Sequence, residues 1–408
     1  MKILLYRWKV FNQDDVKSAI EYFGHQVHDY TETVIDKDDE TGFKLRDYAE
    51  LRQVFSAYDC VFSLNYFPHV SDLCEELGKK YIAWTVDSPL ISLYHQSLFN
   101  KCNYIFIFDR FYCEELKNLG AEHVWYLPLA VNCSRVGKIT GSLTADERNK
   151  WHSEVSFVGG MYHRNSYDEI KDRLPEYLRG YFDAAMAAQM EIYGDSIFDK
   201  VLTVDILEKL CELIDFKQDE RAFSDIALVF SSTFLGFKLA NIERVQILNK
   251  LAKHFPTDLY TDDPDKELIG VNLKGAVNYM TDMPKVFNCS RININPVMRN
   301  IRTGIPLRAW DIVGAGGFLM TSFQLEYMDF FENGKDYVYY ESHDDLLRKT
   351  EYYLNHEDER AQIARNGHEK AVKFHSYEKR MEFILDKCGM LKPVSYTHLR
   401  AHETKANL

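Results

Sequence analysis

NIRTGIPLRAWDIVGAGGF, residues 300–318, contains the features from which the fold can be predicted. Pro306 suits the first turn of a helix, because the N–H group that proline lacks would have no partner there. A helix over about 306–314 is therefore expected, after the apolar stretch SRININPV and its loop. A helix that starts beyond the carboxyl end of a strand is typical of an α/β domain, and its unpaired N–H groups favour an anion.

Apolar runs alternate with amphipathic stretches over the first 134 residues. The predicted strands are KILLY, HQVHDYT, DCVFSLNYF, YIAWTVDSP, YIFIFDR and HVWYLPLA. Helices are expected over DDVKSAIEYFG, SDLCEELGKK and FYCEELKNLG, and an irregular acidic stretch near DKDDETG. Apolar strands separated by helices predict a parallel sheet that helices cover on both faces.

The chain divides into two α/β units. We expect an N-terminal Rossmann-like domain over 1–134, a polar linker over 135–154, a second Rossmann-like domain over 155–375 and a C-terminal helix over 376–393. The second domain carries a helical insertion and strands at VSFVGG, TDLYT, SRININPV, GFLMTS and YVYY. From Val394 onward the sequence VSYTHLRAHET resembles one reading frame of a transposase sequencing adapter, so 394–408 is expected to be an artefact.

Composition narrows the class of protein. With 49 basic and 62 acidic side chains the net charge is −13, which disfavours binding to nucleic acid or anionic lipid. No run of about 18 apolar residues predicts a membrane span, and the start does not resemble a secretory signal. Eight scattered cysteines without a metal-ligand spacing favour a reducing, cytoplasmic location.

Positive charge is concentrated around the Pro306 helix. Residues 291–310 contain four arginines and no acid. They are Arg291, Arg299, Arg302 and Arg308. These side chains are either solvated on a loop or gather around a phosphate. On the second reading Arg308, Arg302 and the amides near Gly304 hold the phosphate, and Asp311 accepts a ribose or sugar hydroxyl.

Two further groups of residues are candidates for the same ligand. Gly316 and Gly317, counted among the donor-binding residues, let the helix end pack tightly against the next strand, and they also suit a C-cap, which is compatible with that role. The loop VSFVGGMYHRN follows a predicted strand and brings in Gly159 and Gly160, with His163 or Arg164 near phosphate. A single glycine pair is a weak signal for phosphate binding.

The residues around this helix carry a resemblance to a known family. The sequence from SRININPV through TGIPLRAWDIVGAGGFLMTS to NGHE resembles the C-terminal domain of CgeB-like (spore maturation protein family) glycosyltransferases. WTVDSP, YIFIFDR and YLPLAVN resemble the N-terminal domain of that family. The resemblance implies a bacterial enzyme of GT-B architecture, with two Rossmann-like domains facing across a cleft. It also implies a nucleotide-sugar donor in the C-terminal domain and an acceptor facing the N-terminal one.

One position departs from the pattern of the broader retaining GT-B enzymes. Their E-x7-E motif would end at Asp311, but its first position is Thr303 in this sequence. The stereochemical outcome, and with it the identity of a catalytic base, is therefore left open. For an inverting reaction the candidate base is Asp87, which otherwise caps the following helix. Asp109 sits in a similar place after its strand.

Metal ions are not required by this reading. Asp263 and Asp265 form a D-x-D pattern, but an acidic chain contains such pairs by chance. We expect a metal-independent hexosyltransferase-like enzyme without a cofactor, in which amides and guanidinium groups stabilise the departing diphosphate. The acceptor, a glycan, a protein or a small molecule, is not specified. The alternatives are a nucleotide-sugar epimerase of the same fold and a non-catalytic, sporulation-associated nucleotide-sugar-binding protein.

Overall fold

The computed structural model describes residues 1–31, 35–36, 44–45, 48–217 and 219–391, with the backbone alone at 35–36 and 44–45. Most of the acidic stretch near DKDDETG and the adapter-like segment 394–408 lie outside the described residues. All eight cysteines are described, and all are free thiols.

The N-terminal half forms a parallel six-stranded sheet from the predicted apolar runs. In chain order the strands are β1 (Lys2–Arg7), β2 (Gln26–Thr31), β3 (Ile35–Asp36), β4 (Lys44–Leu45), β5 (Cys60–Leu64), β6 (Lys80–Trp84), β7 (Asn103–Ile107) and β8 (Val124–Tyr126). The order across the sheet is β2-β1-β5-β6-β7-β8, and β3 and β4 form a separate antiparallel pair. Its helices are α1 (Gln13–Tyr22), α2 (Tyr48–Ser56), α3 (Pro68–Leu77) and α4 (Arg110–Asn118), with 3-10 turns at Ile91–Leu93 and Gln96–Phe99.

The connection between the two sheets is helical, and the expectation of an unpatterned linker over 135–154 is wrong. It contains α5 (Cys133–Gly141) and α6 (Ala145–Trp151). Both helices have clear start signals: Asn132 accepts a hydrogen bond from the Arg135 amide, and Thr144 forms a capping box with Glu147. Helix α6 buries none of its residues, so its sequence lacks the apolar periodicity by which helices are predicted.

The C-terminal half forms a second parallel six-stranded sheet. Its strands are β9 (Ser153–Val158), β10 (Thr257–Tyr260), β11 (Asn272–Leu273), β12 (Ser290–Asn295), β13 (Leu319–Ser322) and β14 (Val338–Tyr340), in the order β11-β10-β9-β12-β13-β14. Five of the six coincide with predicted strands. Strand β11 was not predicted, because it has only two residues and both are exposed.

Helices pack around this sheet and form the predicted insertion between β9 and β10. They are α7 (Ser166–Ile170), α8 (Glu176–Met190), α9 (Phe198–Val201), α10 (Val204–Leu213), α11 (Ile226–Val229), α12 (Phe237–Ala252), α13 (Met283–Cys289), α14 (Leu307–Gly314), α15 (Tyr327–Phe330), α16 (His343–Asn355), α17 (Glu357–Phe374) and α18 (Tyr377–Lys387). A π-helical stretch, Phe230–Gly236, joins α11 to α12. The insertion has an apolar core of its own, which includes Phe182 and Phe230.

A short segment of the insertion, residues 219–223, reaches across to the N-terminal half, and we call it the strap. The Gln96 amide donates to the Arg221 carbonyl at 2.9 Å, and the Phe223 amide donates to the Tyr94 carbonyl at 2.8 Å. The Arg221 guanidinium contacts both carboxylate oxygens of Asp72, at 2.6 and 3.1 Å. The strap therefore joins the two halves at a point far from the covalent connection.

Helix α18 returns to the N-terminal half and joins the two cores. The Tyr377 ring packs on Trp84 with 5.8 Å between ring centroids, and its hydroxyl accepts a hydrogen bond from Asn12. The Arg380 Nε donates to the Pro128 carbonyl at 2.9 Å. One hydrophobic cluster consequently runs from the N-terminal sheet through α18 to α13 and α14.

One helical segment, Ile226–Ala252, is long and apolar enough to cross a membrane by length and composition, the only such segment in the described part of the chain. The sequence interpretation named none. Half of its most apolar window is buried inside the protein. It also carries Glu243, whose carboxylate accepts a hydrogen bond at 2.6 Å from Arg299 with both side chains almost fully buried. These contacts are those of an interior helix.

Candidate functional site

The start of α14 presents free backbone donors at the edge where the two sheets meet. Pro306 is the N-cap, with φ −67° and ψ 153°, and the helix begins at Leu307, one residue later than predicted. Among the described residues, the N–H groups of Leu307 and Arg308 have no hydrogen-bond acceptor, and both residues are half-buried. Unpaired donors at a helix start attract an anion.

The Arg308 side chain lies beside this start without an oxygen acceptor. Its guanidinium contacts the Met283 sulfur and lies 5.7 Å from the centre of the Phe287 ring. Its guanidinium lies 3.6 Å from Oδ2 of Asp311. A guanidinium has five N–H donors, so Arg308 retains the capacity to bind a phosphate.

Asp311 is buried one turn into the helix and is only partly satisfied. Its Oδ1 accepts a hydrogen bond at 3.1 Å from the Tyr279 hydroxyl. Its Oδ2 is buried and accepts no hydrogen bond from the described residues. Burial raises the pKa of Asp311 to about 6, although the Arg308 charge and the Tyr279 hydroxyl oppose that rise. A buried carboxylate oxygen without a donor is suited to a ligand hydroxyl.

A small cavity lies against Asp311 at the junction of α5, α13 and α14. It is lined by Arg135, Val136, Tyr279, Met283, Pro284, Phe287 and Asp311. Arg135 is held by both carboxylate oxygens of Asp15, each at 2.8 Å, and by the Met280 carbonyl. The Phe11 ring, mostly exposed, stacks on Tyr279 with 6.0 Å between centroids. The cavity is smaller than a ribose ring, so a bound nucleoside requires these side chains to move.

The turn that leads into α14 is not an open phosphate cradle, and this part of the prediction is wrong. The amides of Arg302 and Thr303 both donate to the Asp109 carboxylate, at 2.8 and 3.3 Å. Asp109 also caps α4, as one of its sequence readings proposed, because it accepts the Phe111 amide. A carboxylate from the N-terminal half thus already occupies the anion position at this turn.

Gly304 lies in the same contact between the two halves. A Cβ added at Gly304 would lie 3.0 Å from the ring and the carbonyl oxygen of Phe108, so only glycine fits without a shift. Its predicted role in donor binding is replaced by close packing against the N-terminal half.

The four arginines do not converge on one ligand. Arg291 contacts Glu154 and the Leu354 carbonyl, and Arg299 is paired with the buried Glu243. Arg302 contacts Asp195 at 2.8 Å and Asp199 at 2.5 Å, and its pKa is raised because these carboxylates outweigh the effect of burial. Of the four, Arg308 alone makes no hydrogen bond to an oxygen of the described residues, although it lies 3.6 Å from Asp311 Oδ2. The local charge count was misleading, because the neutralising acids come from distant parts of the chain.

Gly316 and Gly317 belong to the packing of the helix end, which corrects their assignment to donor binding. Gly316 has φ +75° and follows the C-cap of α14. A Cβ at Gly317 would lie 2.6 Å from the Phe287 carbonyl oxygen and 2.8 Å from the Asn293 amide. Both glycines stand at the opposite end of α14 from its free N–H groups, and the close packing predicted for them is observed.

The loop after β9 uses its polar groups internally. The Gly159 amide donates to the Tyr260 carbonyl, and the Gly160 carbonyl accepts from Arg244 at 2.5 Å. His163 and Arg164 both lie near the Asp263 carboxylate, at 3.3 and 3.4 Å. The structure places this loop at the carboxyl end of β9 as predicted, but pairs its cations with an acid.

The two acids of the D-x-D pattern have separate partners. Asp263 pairs with His163 and Arg164, while Asp265 accepts hydrogen bonds from Asn241 and from the Glu267 amide. Within the described ranges, no group of three or more His, Cys, Asp or Glu side chains is placed to hold a metal ion.

Asp87 lies in the loop after β6 and does not cap a helix. The next helical turn begins at Ile91 and has Leu90 as its N-cap. The Asn65 side chain fixes the loop, since its Oδ1 accepts the amides of Val86 and Asp87 and its Nδ2 donates to Asp87 Oδ2 at 2.6 Å. The Asp87 residue is exposed, yet desolvation by the surrounding protein raises the pKa of its carboxyl.

Asp87 is connected to the turn before α14 through its neighbour. Ser88 donates to Asp109 Oδ2 at 2.8 Å, and Asp109 accepts the Arg302 and Thr303 amides. His69, by contrast, has structural contacts: its ring contacts the Tyr6 hydroxyl at 3.0 Å, and burial lowers its pKa to about 4.

Three residues of the site were missed by sequence reasoning. Tyr279 follows the two-residue strand β11, which gives no periodic signal. Arg135 falls in the segment interpreted as a linker, and Glu326, which contacts Thr303, lies in a loop after β13. The Asp15 carboxylate and Arg135 are in contact although they are 120 residues apart in sequence, so local residue spacing does not indicate this contact.

Comparisons with known proteins agree with this geometry. Residues 244–386, which include Tyr279 and all of α14, match a family model described as glycosyl transferase-like. A search of curated protein sequences gives no significant match. Among solved structures, the chain is similar to Anabaena HepE in complex with UDP-glucose, with 10% identity and a TM-score of 0.54, covering 96% of this chain and 100% of that one.

Two further structures have the same extent of similarity. Sucrose-phosphate synthase from Thermosynechococcus elongatus has 10% identity and a TM-score of 0.55, covering 98% of this chain and 100% of that one. WaaG, a glycosyltransferase involved in lipopolysaccharide biosynthesis, has 11% identity and a TM-score of 0.55, covering 95% and 100%. The fold is GT-B. The GT-B architecture explains why both sheets direct their carboxyl ends, and the loops after β7 and β12, towards each other.

Proposed function

We propose that this GT-B protein is a glycosyltransferase that moves a sugar from a nucleotide-diphosphate sugar to an acceptor. The observation that carries the proposal is the start of α14, where free backbone donors and Arg308 lie next to the buried Oδ2 of Asp311, which is 3.6 Å from the Arg308 guanidinium and accepts no hydrogen bond from the described residues. A diphosphate fits the first two groups and a ribose hydroxyl fits the third. The glycosyl transferase-like match over 244–386 covers the same residues and supports the proposal.

The reaction can be assigned to residues of this chain. Arg308 and the amides of Leu307 and Arg308 stabilise the negative charge that grows on the departing diphosphate. Tyr279 holds one Asp311 oxygen so that the other is directed to the nucleoside. Asp87, oriented by Asn65, is the candidate base for an acceptor hydroxyl if the reaction inverts. Desolvation by the surrounding protein raises the pKa of Asp87, which makes its carboxylate a stronger base than an ordinary aspartate.

Finer assignments rest on the motif resemblance and on the similar structures. The HepE structures contain UDP-glucose, or UDP and glucose, so a UDP-hexose is the first donor to test. We propose a metal-independent hexosyltransferase of the CgeB-like, spore maturation type, acting in the bacterial cytoplasm. The acceptor is a glycan, a protein or a small molecule.

Donor binding can be measured without knowing the acceptor. In a panel of nucleoside diphosphates and nucleotide sugars, only compounds with the correct nucleobase should raise the thermal unfolding midpoint of the protein. A ligand present at 100 times its Kd stabilises the folded state by about 2.7 kcal/mol. Calorimetry on Arg308→Ala should show weaker donor binding, and the transfer rate should fall roughly a hundredfold, as it does when one preorganised donor is removed. Arg291→Ala, whose side chain is paired with Glu154, is the matched control and should bind normally.

Transfer is tested with a donor that carries an isotope label in its sugar. Labelled product and free nucleotide should form together only when acceptor is added, whereas an epimerase turns over the donor alone. If Arg308→Ala binds every nucleotide sugar as well as the parent protein does, the donor site proposed here is wrong.

A further inference from the structure

Two buried carboxyl groups meet at the hydroxyl of Thr303, between the halves of the protein. The Thr303 Oγ1 lies 2.8 Å from Oδ1 of Asp109 and 2.7 Å from Oε1 of Glu326. Asp109 comes from the N-terminal half, and Thr303 and Glu326 from the C-terminal half. Both acids are almost fully buried, with 0% and 2% exposure.

The Thr303 hydroxyl cannot donate a hydrogen bond to two carboxylates at once. A threonine hydroxyl has one proton and can donate it to only one acceptor. The second carboxyl oxygen, at an equally short distance, needs a proton of its own to donate to Thr303. The remaining lone pair of Oγ1 accepts the Phe111 amide at 3.2 Å, so the hydroxyl then makes one donated and two accepted hydrogen bonds.

Among the described residues, no cation forms an ion pair with either acid. Arg302 directs its guanidinium to Asp195 and Asp199, and Arg110 stacks on Tyr126 and pairs with Asp329. Two buried anions this close to each other, without a counter-ion, are strongly disfavoured. The charged and titratable groups facing the pair from the surrounding elements are Arg110, Tyr112, Cys113, Tyr126, Arg302 and Asp329.

The donors around each acid show which one holds the proton. Besides the Thr303 hydroxyl, Asp109 accepts four donors, namely the Ser88 hydroxyl and the amides of Arg302, Thr303 and Phe111. The Phe111 amide is the one that caps α4, and Asp109 shares it with Thr303 Oγ1. Glu326 accepts only the Arg110 amide and the Tyr126 hydroxyl, at 2.8 and 2.6 Å. Hydrogen bonds stabilise the ionised form, so Asp109 is the anion and Glu326 the acid.

We infer that Glu326 is a protonated positioning residue, which donates to Thr303 while Thr303 donates to the Asp109 carboxylate. This chain of hydrogen bonds holds the turn 302–304, and with it the start of α14, against the N-terminal half. Burial raises the pKa of both acids, and the charge of Asp109 raises that of Glu326 further. Ionisation of Glu326 breaks the chain and places two anions side by side.

Thr303 stands where the E-x7-E pattern has its first acid. In this chain that position does not offer a carboxylate to the donor sugar; it transmits a proton-dependent contact between the two halves. The inference is independent of the proposed function, since it concerns a protonation state that exists without a ligand.

Infrared titration of the complete protein tests it directly. The carbonyl stretch of a protonated carboxylic acid should persist above the pH at which surface carboxylates ionise, and one such group should be missing in Glu326→Gln. Asp311→Asn removes a different buried carboxyl group and should leave the Glu326 signal in place. Thr303→Val should lower the pH at which the Glu326 signal disappears, while Thr303→Ser should keep it.

Small-angle scattering across the same pH range gives the second readout. The parent protein should expand as Glu326 ionises, and Glu326→Gln, whose amide can still donate to Thr303, should stay compact throughout. Asp329→Asn, which removes an exposed carboxylate from the same interface, should titrate like the parent protein. An infrared spectrum in which Glu326→Gln loses no protonated carboxyl signal would overturn the inference, as would equal expansion of Glu326→Gln and the parent.

Discussion

Replacing Asp311 with asparagine should stabilise the protein and remove its donor affinity. The side chain is buried, and its pKa is raised from 3.8 to about 6. A shift of about two units corresponds to ~3 kcal/mol of free energy. Because the folded-state pKa is the higher one, this stability is fully present below pH 3.8 and is lost as the pH rises through about 6. Asparagine keeps an acceptor for the Tyr279 hydroxyl and carries no charge. The variant should therefore not lose stability as the pH rises.

The assay is a pair of urea titrations of Asp311→Asn and the parent protein at pH 5 and pH 8. Between these values the parent loses roughly 1.4 kcal/mol through Asp311 alone, about half of the full effect. The advantage of the variant should grow by that amount at the higher pH. Asp282→Asn, which removes a partly exposed carboxylate at the start of α13, is the control and should show no such growth. A stability difference that is the same at both pH values would refute the buried, titrating carboxylate.

Three further predictions concern the reaction and the core. Asp87→Asn should lower kcat by about 10²–10⁴ with little change in donor Kd, as loss of a general base does, and an unchanged kcat would remove Asp87 from the chemistry. Initial rates after dialysis against a chelator should equal those with added Mg²⁺, because Arg308 and helix N–H groups meet the diphosphate charge; a tenfold loss would contradict this. Arg299→Met should destabilise the protein by ~3–5 kcal/mol in thermal unfolding by leaving Glu243 buried without its partner, and Glu243→Leu added to it should recover most of that loss.

The local pattern of apolar and polar residues was sufficient to predict most of the fold. Most strands of the two sheets are apolar runs, so β1, β6 and β12 could be placed from the residue pattern alone. Pro306 located the start of α14 to within one residue, because its constraint acts on its own backbone. Helix α6 and strand β11 were missed for the complementary reason that neither buries a periodic face.

The site could be predicted only where its chemistry is local. Asp311 and Arg308 lie one turn apart on one helix, and their proximity follows from helical geometry. The roles of the other arginines were mispredicted, because their acidic partners are distant in sequence. Arg299 pairs with Glu243, 56 residues away, and Arg291 pairs with Glu154, 137 residues away. Likewise, Asp109 reaches the turn before α14 across 193 residues, so nothing in residues 300–318 indicates that the turn is already occupied.

The strap changes what kind of motion the cleft permits. In a GT-B protein whose halves are joined only through the linker and the last helix, the halves could rotate apart about that connection. Here Arg221 and Phe223 also bind the N-terminal half. Rotation of one half away from the other would therefore break two backbone hydrogen bonds and the contact of Arg221 with Asp72. Separation of the halves therefore requires the strap contacts to break as well as those between Asp109 and the turn before α14. A protease cut within the strap should leave the two halves freer to separate, which small-angle scattering would detect as an expansion.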